Sequence, residues 1–296
     1  MDIKLYQNCI FEADFNSLSE GFEGLDVTQN SRPWLREFQV FQELYNEGIH
    51  LNHDILGAVS INFERKSKLN GVQVRAWIEN NPGYDVYVVN PFPQFAYCHF
   101  NLWQFSDNRC TFPFTEYSIR SLEECQVESL VNPDKRQSNN LLATCSYWFG
   151  NKTFWEKYLK EVVIKVVDTD PSRLSAEVHD FLYKPTYYYA SPGVPVGNIA
   201  FLLERTLSEF IDREKSLKSL FFPVDEDRLL RCCLFNFERE IVLENFRYVD
   251  DLDQKKDVLE LREYFRKTSP IAAQKWVKNF EEMGRKKVYS EGNTST

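Results

Sequence analysis

No stretch of this 296-residue chain approaches the ~20 apolar residues that would span a bilayer. Met1-Asp2-Ile3-Lys4-Leu5 leads straight into a strand-like segment, without the apolar run of a signal peptide. The expected location is therefore cytoplasmic, with peripheral attachment at a membrane as its variant. Positive charge is also short: 35 Lys and Arg face 44 Asp and Glu, a formal net charge of -9. Proteins that hold a phosphate backbone gather basic residues to displace counterions, so no nucleic acid partner is expected. Only Arg285-Lys286-Lys287 forms a compact basic cluster, and three charges are few for acidic lipid.

Histidine is scarce, with four in all, and His50-x-x-His53 lacks the neighbouring cysteines of a zinc site. The seven cysteines show neither C-x-x-C spacing nor an even count, which points to reduced thiols rather than a disulfide framework. G-x-S-x-G, G-x-G-x-x-G and G-x-x-x-x-G-K-[ST] are all missing. Hydrolase, Rossmann dehydrogenase and P-loop readings thus lose their main support.

Aromatic residues, by contrast, make up 15% of the chain, including 24 Phe and 15 Tyr. Rings can line a sugar or base pocket or simply fill a core. Apolar and charged fractions of 43% and 27% are ordinary for a globular protein, and the length is ample for a large core.

The segment Asp54 to Trp103 reads as a βαβ unit. An apolar run, Ile55 to Ile61, enters a polar basic turn, Asn62 to Lys68. A helix over Val72 to Asn80 then ends at Asn81-Pro82-Gly83, and a strand over Tyr84 to Val89 follows. Ligands of open α/β sheets bind beyond the carboxyl ends of the strands, so Ser60 to Lys68 and Asn90 to Trp103 are expected to converge on one crevice. Upstream, Ile3 to Ile10 reads as a first strand, and Pro33 opens a helix through Glu47 with Trp34, Phe38, Phe41, Leu44 and Tyr45 at three- and four-residue steps. This alternation predicts a mainly parallel sheet flanked by helices.

Further on, Leu141 to Phe149 reads as a buried strand stopped by Gly150. The helix after it carries Phe154, Trp155, Tyr158, Leu159, Val162, Val163, Val166 and Val167 on one face. An aromatic, Pro-rich loop from Pro185 to Gly197 precedes a helix over Asn198 to Arg213, and the chain from Asp225 onward reads as helical and charged. The expected division is an α/β domain over residues 1–215 and a helical C-terminal region over 216–296.

Several short motifs carry candidate chemistry. Asp168-Thr169-Asp170 is a pair of carboxylates of the kind that holds Mg2+ or Mn2+ against a diphosphate; its alternative is a helix-to-helix turn with Asp170 as cap before Pro171. Asp225-Glu226-Asp227 reads as an acidic helix start, and Asp250-Asp251-Leu252-Asp253 as a solvated turn. Arg65, Lys66 and Lys68 either neutralise a diphosphate leaving group without a metal or form a solvated turn. Asn90, Asn101 and Trp103 suit carbohydrate hydroxyls and ring faces, with loop packing as the competitor. Glu204-Arg205, on an otherwise apolar helix start, is a candidate general base with its partner, or an ion pair fastening the helix.

Taken in order, Tyr6-Gln7, Asn30 to Glu37, Gly57 to Lys68, Tyr84 to Pro91 and Phe201-Leu202-Leu203-Glu204-Arg205 resemble GT-A-type glycosyltransferase-related proteins of surface polysaccharide biosynthesis. Tyr147-Trp148-Phe149 and Lys152 to Trp155 are similar to the strand and helix on the acceptor side of such folds. The resemblance covers roughly residues 1–215. It implies a GT-A-like (Rossmann-like) sheet and transfer of a sugar from a nucleotide sugar to a glycan acceptor, with a lipid-linked acceptor as one form. Glu204 would act as the catalytic base. Tyr6, Lys66, Lys68, Asp85, Asn90, Asn101, Trp103 and Arg205 would contact substrate. The chain departs from such proteins in having no D-x-D directly after an early strand, and Asp85 precedes its strand. Dependence on Mg2+ or Mn2+ stays open. Two rivals remain: a non-catalytic interaction protein of a glycan-assembly complex, and a metal-dependent phosphoester hydrolase using Asp168 and Asp170.

Overall fold

The protein is described from a computed structural model, which covers residues 1–110, 112–187 and 195–292. The chain begins with two strands, β1 (Ile3–Cys9) and β2 (Glu23–Asp26), followed by α1 (Glu37–Asn46), β3 (Ile55–Ser60), α2 (Phe63–Ser67), α3 (Gly71–Asn80) and β4 (Val86–Val88). Then come α4 (Phe95–Cys98), α5 (Leu102–Arg109), α6 (Phe114–Glu124), β5 (Trp148–Gly150), α7 (Lys152–Tyr158), α8 (Ile164–Val167) and α9 (Ala176–Tyr183). A small ribbon of β6 (Thr186–Tyr187) and β7 (Pro195–Val196) precedes α10 (Ile199–Arg213), β8 (Ser219–Phe221), α11 (Glu226–Cys232), α12 (Asn236–Lys255) and α13 (Val258–Gly292). A mixed α/β architecture with a helical C-terminal region results, as the alternating pattern predicts.

The main sheet has the order β2-β1-β3-β5-β4-β8. β1 runs parallel to β2 and β3, and β4 parallel to β8, while β5 lies antiparallel between β3 and β4. The expected βαβ unit is present in sequence, but its two strands are not neighbours. Gly150 serves both, opposite Leu56 on one side and Val86 on the other. Gly57 permits this close packing: a Cβ there would sit 2.4 Å from the Phe149 ring.

Strand residues alternate between two cores. Leu56, Ala58, Val86 and Val88 face α1, the helix from 152 to 167 and α10. Ile55, Val59, Tyr87 and Val89 face Phe63, Val74, Trp77 and Ile78. The 152–167 helix forms where its apolar face predicts it, with Asn151 capping its start and a π-helical turn at Leu159–Val163. α12 and α13 pack on each other and on α4 and α5, burying Val242, Val249, Leu252, Leu261, Phe265 and Trp276.

Four expectations need correction. Leu141 to Tyr147 is irregular, and the strand is confined to Trp148–Gly150, because Cys145 and Ser146 adopt left-handed backbone with φ of 60° and 53°. The basic turn after β3 is mostly the short helix α2. The Pro33 helix is a 3-10 turn, Pro33–Leu35, set off from α1 by Arg36 at φ 52°. Asp250, Asp251 and Asp253 lie within α12, where Asp253 binds Arg136 and Asp250 accepts from Tyr97, so they are not a solvated turn. Most of the Pro185 to Gly197 loop, residues 188–194, lies outside the described residues.

Candidate functional site

At the carboxyl ends of β1, β3 and β4 stand Asn8, Ser60 and Asn90, where open sheets place their ligands. Asn8 is paired in register with Ser60. The Ser60 hydroxyl lies 2.7 Å from that of Tyr147. The Lys66 ammonium, on α2 just past β3, is 3.7 Å from Cys145 Sγ and 6.0 Å from the ring centres of both Tyr147 and Phe92. Two left-handed residues in succession give the 144–147 segment its elbow. From it Thr144 donates to Asn90 Oδ1 at 2.8 Å, Cys145 meets Lys66, and Tyr147 meets Ser60.

Two half-buried carboxylates act on this cation, Glu37 at the start of α1 and Glu204 on α10. Those two helix starts touch where the Arg36 guanidinium lies 4.8 Å from the Phe201 ring centre, one turn before Glu204. Lys66 is held above the usual lysine range, first by the Cys145 sulfur and then by Tyr147, Glu37 and Glu204, against a desolvation that opposes them. Burial in turn pushes the Cys145 thiol up to about 12. At neutral pH the sulfur is therefore uncharged, and the two carboxylates supply the field that keeps Lys66 an ammonium. Among the described residues no carboxylate comes within ion-pair distance of it, 4.0 Å.

The sequence-predicted residues divide sharply. Lys66 lies at the crevice, and Glu204 acts on it through space without forming an ion pair. Tyr6 is half-buried in β1, with Lys4 Nζ 5.1 Å from its ring centre. Lys68 turns back to the Arg65 carbonyl at 2.7 Å and closes α2 in a left-handed cap. Asp85 sits at the opposite, amino end of β4, accepting from Asn151 Nδ2 and the Lys218 amide, so it holds β4 to its neighbours rather than facing the crevice. Asn90 is buried; its side-chain oxygen accepts from Phe92 N and Thr144, and Arg228 binds its carbonyl. Its Nδ2 has no partner.

Asn101 and Trp103 do not offer surfaces to a sugar. Asn101 is fully buried, caps α5 by accepting from Gln104 N, and donates to the carbonyls of Pro133 and Lys135. Trp103 is also fully buried and donates to Glu209 Oε1 at 3.0 Å. Both were expected from residue type alone, and burial has turned that polarity inward. Arg205 is directed to Ser106 Oγ and the Phe201 carbonyl, 4.7 Å from the Phe114 ring centre, as a residue about 100° around the helix from Glu204 must be.

The D-x-D segment takes its structural alternative. Asp170 accepts from Ser172 N as cap of a 3-10 turn, and Asp168 accepts from Gln42 Nε2 at 2.7 Å. Among the described residues no group of three or more His, Cys, Asp or Glu is placed to hold a metal, so the residues present do not fit a Mg2+ or Mn2+ centre. Asp225 caps α11 through Arg228 N, as its acidic start predicts. All seven cysteines are free, and no described helix is long and apolar enough to cross a membrane.

Sequence reasoning missed Asn8, Glu37 and Tyr147 as members of the site. Asn8 carried a weak signal, one of two adjacent amides, Gln7 and Asn8, at the end of the first strand. Glu37 carried none, since its place depends on the break at Arg36. No family model, curated protein or solved structure matches this chain.

Proposed function

We propose that the protein is a glycosyltransferase of GT-A-like build, moving a sugar from a nucleotide sugar to a glycan acceptor. The observation that carries this reading is Lys66, a half-buried ammonium at the carboxyl edge of the sheet that donates, among the described residues, to a thiol 3.7 Å away. Glu37 and Glu204 act on it only through space, and no carboxylate among the described residues pairs with it directly, which leaves the ammonium open to a closer anion. A diphosphate would provide that anion, and the edge of the sheet is where such ligands lie.

The chemistry then needs two things of this chain. Lys66 would neutralise the charge that develops on the diphosphate as the anomeric C–O bond breaks and its electron pair goes to the leaving group. Glu204 would accept the proton of the acceptor hydroxyl as the new C–O bond forms. Glu37, acting on the same lysine, would help hold the cation in place. No step is assigned to a metal ion.

A thermal-shift panel of nucleotide sugars, with and without Mn2+, tests the reading, because a ligand that binds only the native state raises its stability. A shift that Lys66→Met abolishes is the expected result. A wild-type protein unmoved by every nucleotide sugar would leave the interaction-protein reading in its place.

A further inference from the structure

The short helix that carries Lys66 is completed by a distant part of the chain. α2 has five residues, too few to sustain a helix alone, and the last four carbonyls of any helix lack partners within it. Here all of them find donors. Lys68 N donates to Glu64 O and Lys68 Nζ to Arg65 O, while Cys232 Sγ lies 3.8 Å from Lys66 O and 3.7 Å from Ser67 O. Arg228 Nε donates to Ser67 O at 3.3 Å. Cys232 and Arg228 both belong to α11, so the C-terminal region closes the helix on which Lys66 stands.

Arg228 reaches beyond α2. It is 3% exposed; its Nη2 donates to Asn90 O at 2.8 Å and its Nη1 to Pro223 O at 3.3 Å, with the Phe222 ring centre 5.1 Å from the guanidinium. Burial lowers it from the usual arginine range, with Cys232 and Asp225 acting against that, and the group stays charged at neutral pH. Among the described residues no carboxylate comes within ion-pair distance of it, 4.0 Å. Its hydrogen-bond partners are main-chain carbonyls, one at the end of α2, one just past β4 and one just past β8.

The sheet does little to join the first two of these places. β5 separates β3 from β4 at their carboxyl ends, a gap of two strand spacings or about 10 Å. β3 pairs with β5 at Leu56 opposite Gly150, short of its own end at Ser60. The elbow supplies one bridge across the gap, from Tyr147 to Ser60 and from Thr144 to Asn90 Oδ1. Arg228 supplies another, from Ser67 O to Asn90 O, so Asn90 is held by its side-chain oxygen and its main-chain oxygen together.

We propose that Arg228 is a positioning residue for the anion site of the crevice: by tying Ser67 O to Asn90 O it fixes α2 against the end of β4, and with it the place of the Lys66 ammonium. Arg228 does not touch the ligand and acts through Lys66. This assignment rests on the diphosphate reading of Lys66, and it adds that the site depends on α11 as well as on the sheet.

Sodium pyrophosphate is titrated calorimetrically into the wild type, Arg228→Met, Arg228→Lys, Arg136→Met and Lys66→Met, each confirmed native by circular dichroism. The Lys66 side-chain signal is followed without ligand by NMR of isotope-labelled lysine, assigned by its absence from Lys66→Met. Arg228→Met weakens pyrophosphate about tenfold or more, within the usual range of coupling between sites, and displaces the Lys66 signal. Arg228→Lys keeps a charged donor that cannot span both carbonyls; it recovers part of each readout and carries the test if the methionine variant does not fold. Arg136→Met loosens the C-terminal helices elsewhere and leaves both readouts as in the wild type, which separates positioning from general loss of stability. Wild-type affinity in both Arg228 variants, or an equal loss in Arg136→Met, overturns the role of Arg228 while Lys66 stands. No pyrophosphate binding by the wild type, or binding that Lys66→Met leaves intact, overturns the diphosphate reading and this assignment with it.

Discussion

The thiol of Cys145 lies 3.7 Å from the Lys66 ammonium, and it reaches that place only because Cys145 and Ser146 are both left-handed. Non-glycine residues pay for that conformation, roughly 1–2 kcal/mol each, and such strain tends to gather at functional sites. Three contacts are secured in return, from Thr144 to Asn90, Cys145 to Lys66 and Tyr147 to Ser60.

Ser146→Gly relieves one of the two strained positions. Its gain is reduced by the greater freedom of glycine in the unfolded chain, so a net stabilisation of up to about 1 kcal/mol is expected. Urea denaturation measures it. A loss of more than about 1 kcal/mol would show that the Ser146 side chain matters more than its backbone.

Glu204→Gln keeps the shape of the side chain and removes its basicity. If Glu204 takes the acceptor proton, turnover falls at least about 100-fold, the lower range for a general base, with the thermal midpoint little changed. Sugar transfer measured at saturating donor and acceptor decides it. Wild-type rates in the variant would remove Glu204 from the mechanism.

Glu238 predicts a pH dependence of stability. It is 1% exposed and accepts from the amides of Leu234 and Phe235 at the start of α12; burial pushes its carboxyl up to about 7 from an ordinary 4.5. The folded state thus binds this proton more tightly than the unfolded state. Stability is full below about pH 4.5 and is lost as pH rises toward and through 7, by on the order of 3 kcal/mol. Glu238→Gln retains an acceptor for both amides and should flatten that part of the profile. Urea midpoints for wild type and variant across pH 5 to 8 provide the comparison, and parallel curves would contradict the assignment.

Arg136 fastens the C-terminal helices to the rest of the chain. Its guanidinium binds both oxygens of Asp253 on α12 and the carbonyls of Ala96, His99 and Phe100. Arg136→Met leaves the Asp253 carboxylate and these carbonyls without their donor, and a cost of about 3–5 kcal/mol is expected. Proteolysis should then cut first within α12 or α13. Unchanged stability would mean that apolar packing alone seats these helices.

Periodicity made much of this fold legible. β1, β3, α3, α10 and the 152–167 helix carry apolar residues at strand or helix spacing and are where that spacing puts them. β5 was overextended because nothing in Leu141 to Tyr147 distinguishes a buried elbow from a buried strand. The site was legible only in part, for a related reason. Lys66 and Glu204 break apolar or turn patterns, whereas Asn101 and Trp103 have polar atoms that long-range partners, Pro133, Lys135 and Glu209, consume. Those partners are 32 to 106 residues away, beyond the reach of any local pattern.

β5 also bears on how the molecule is assembled. Until Trp148, Phe149 and Gly150 have been synthesised, β3 and β4 have no strand to join them, and the sheet exists as an N-terminal set of β2, β1 and β3 apart from β4. Each waiting edge is apolar, with Leu56 on one side and Val86 and Val88 on the other. Unpaired strand edges of this kind invite association with other chains. A nascent chain stalled short of residue 148 would therefore be at its most vulnerable. A three-residue strand, β5, is thus what joins the two halves of the sheet.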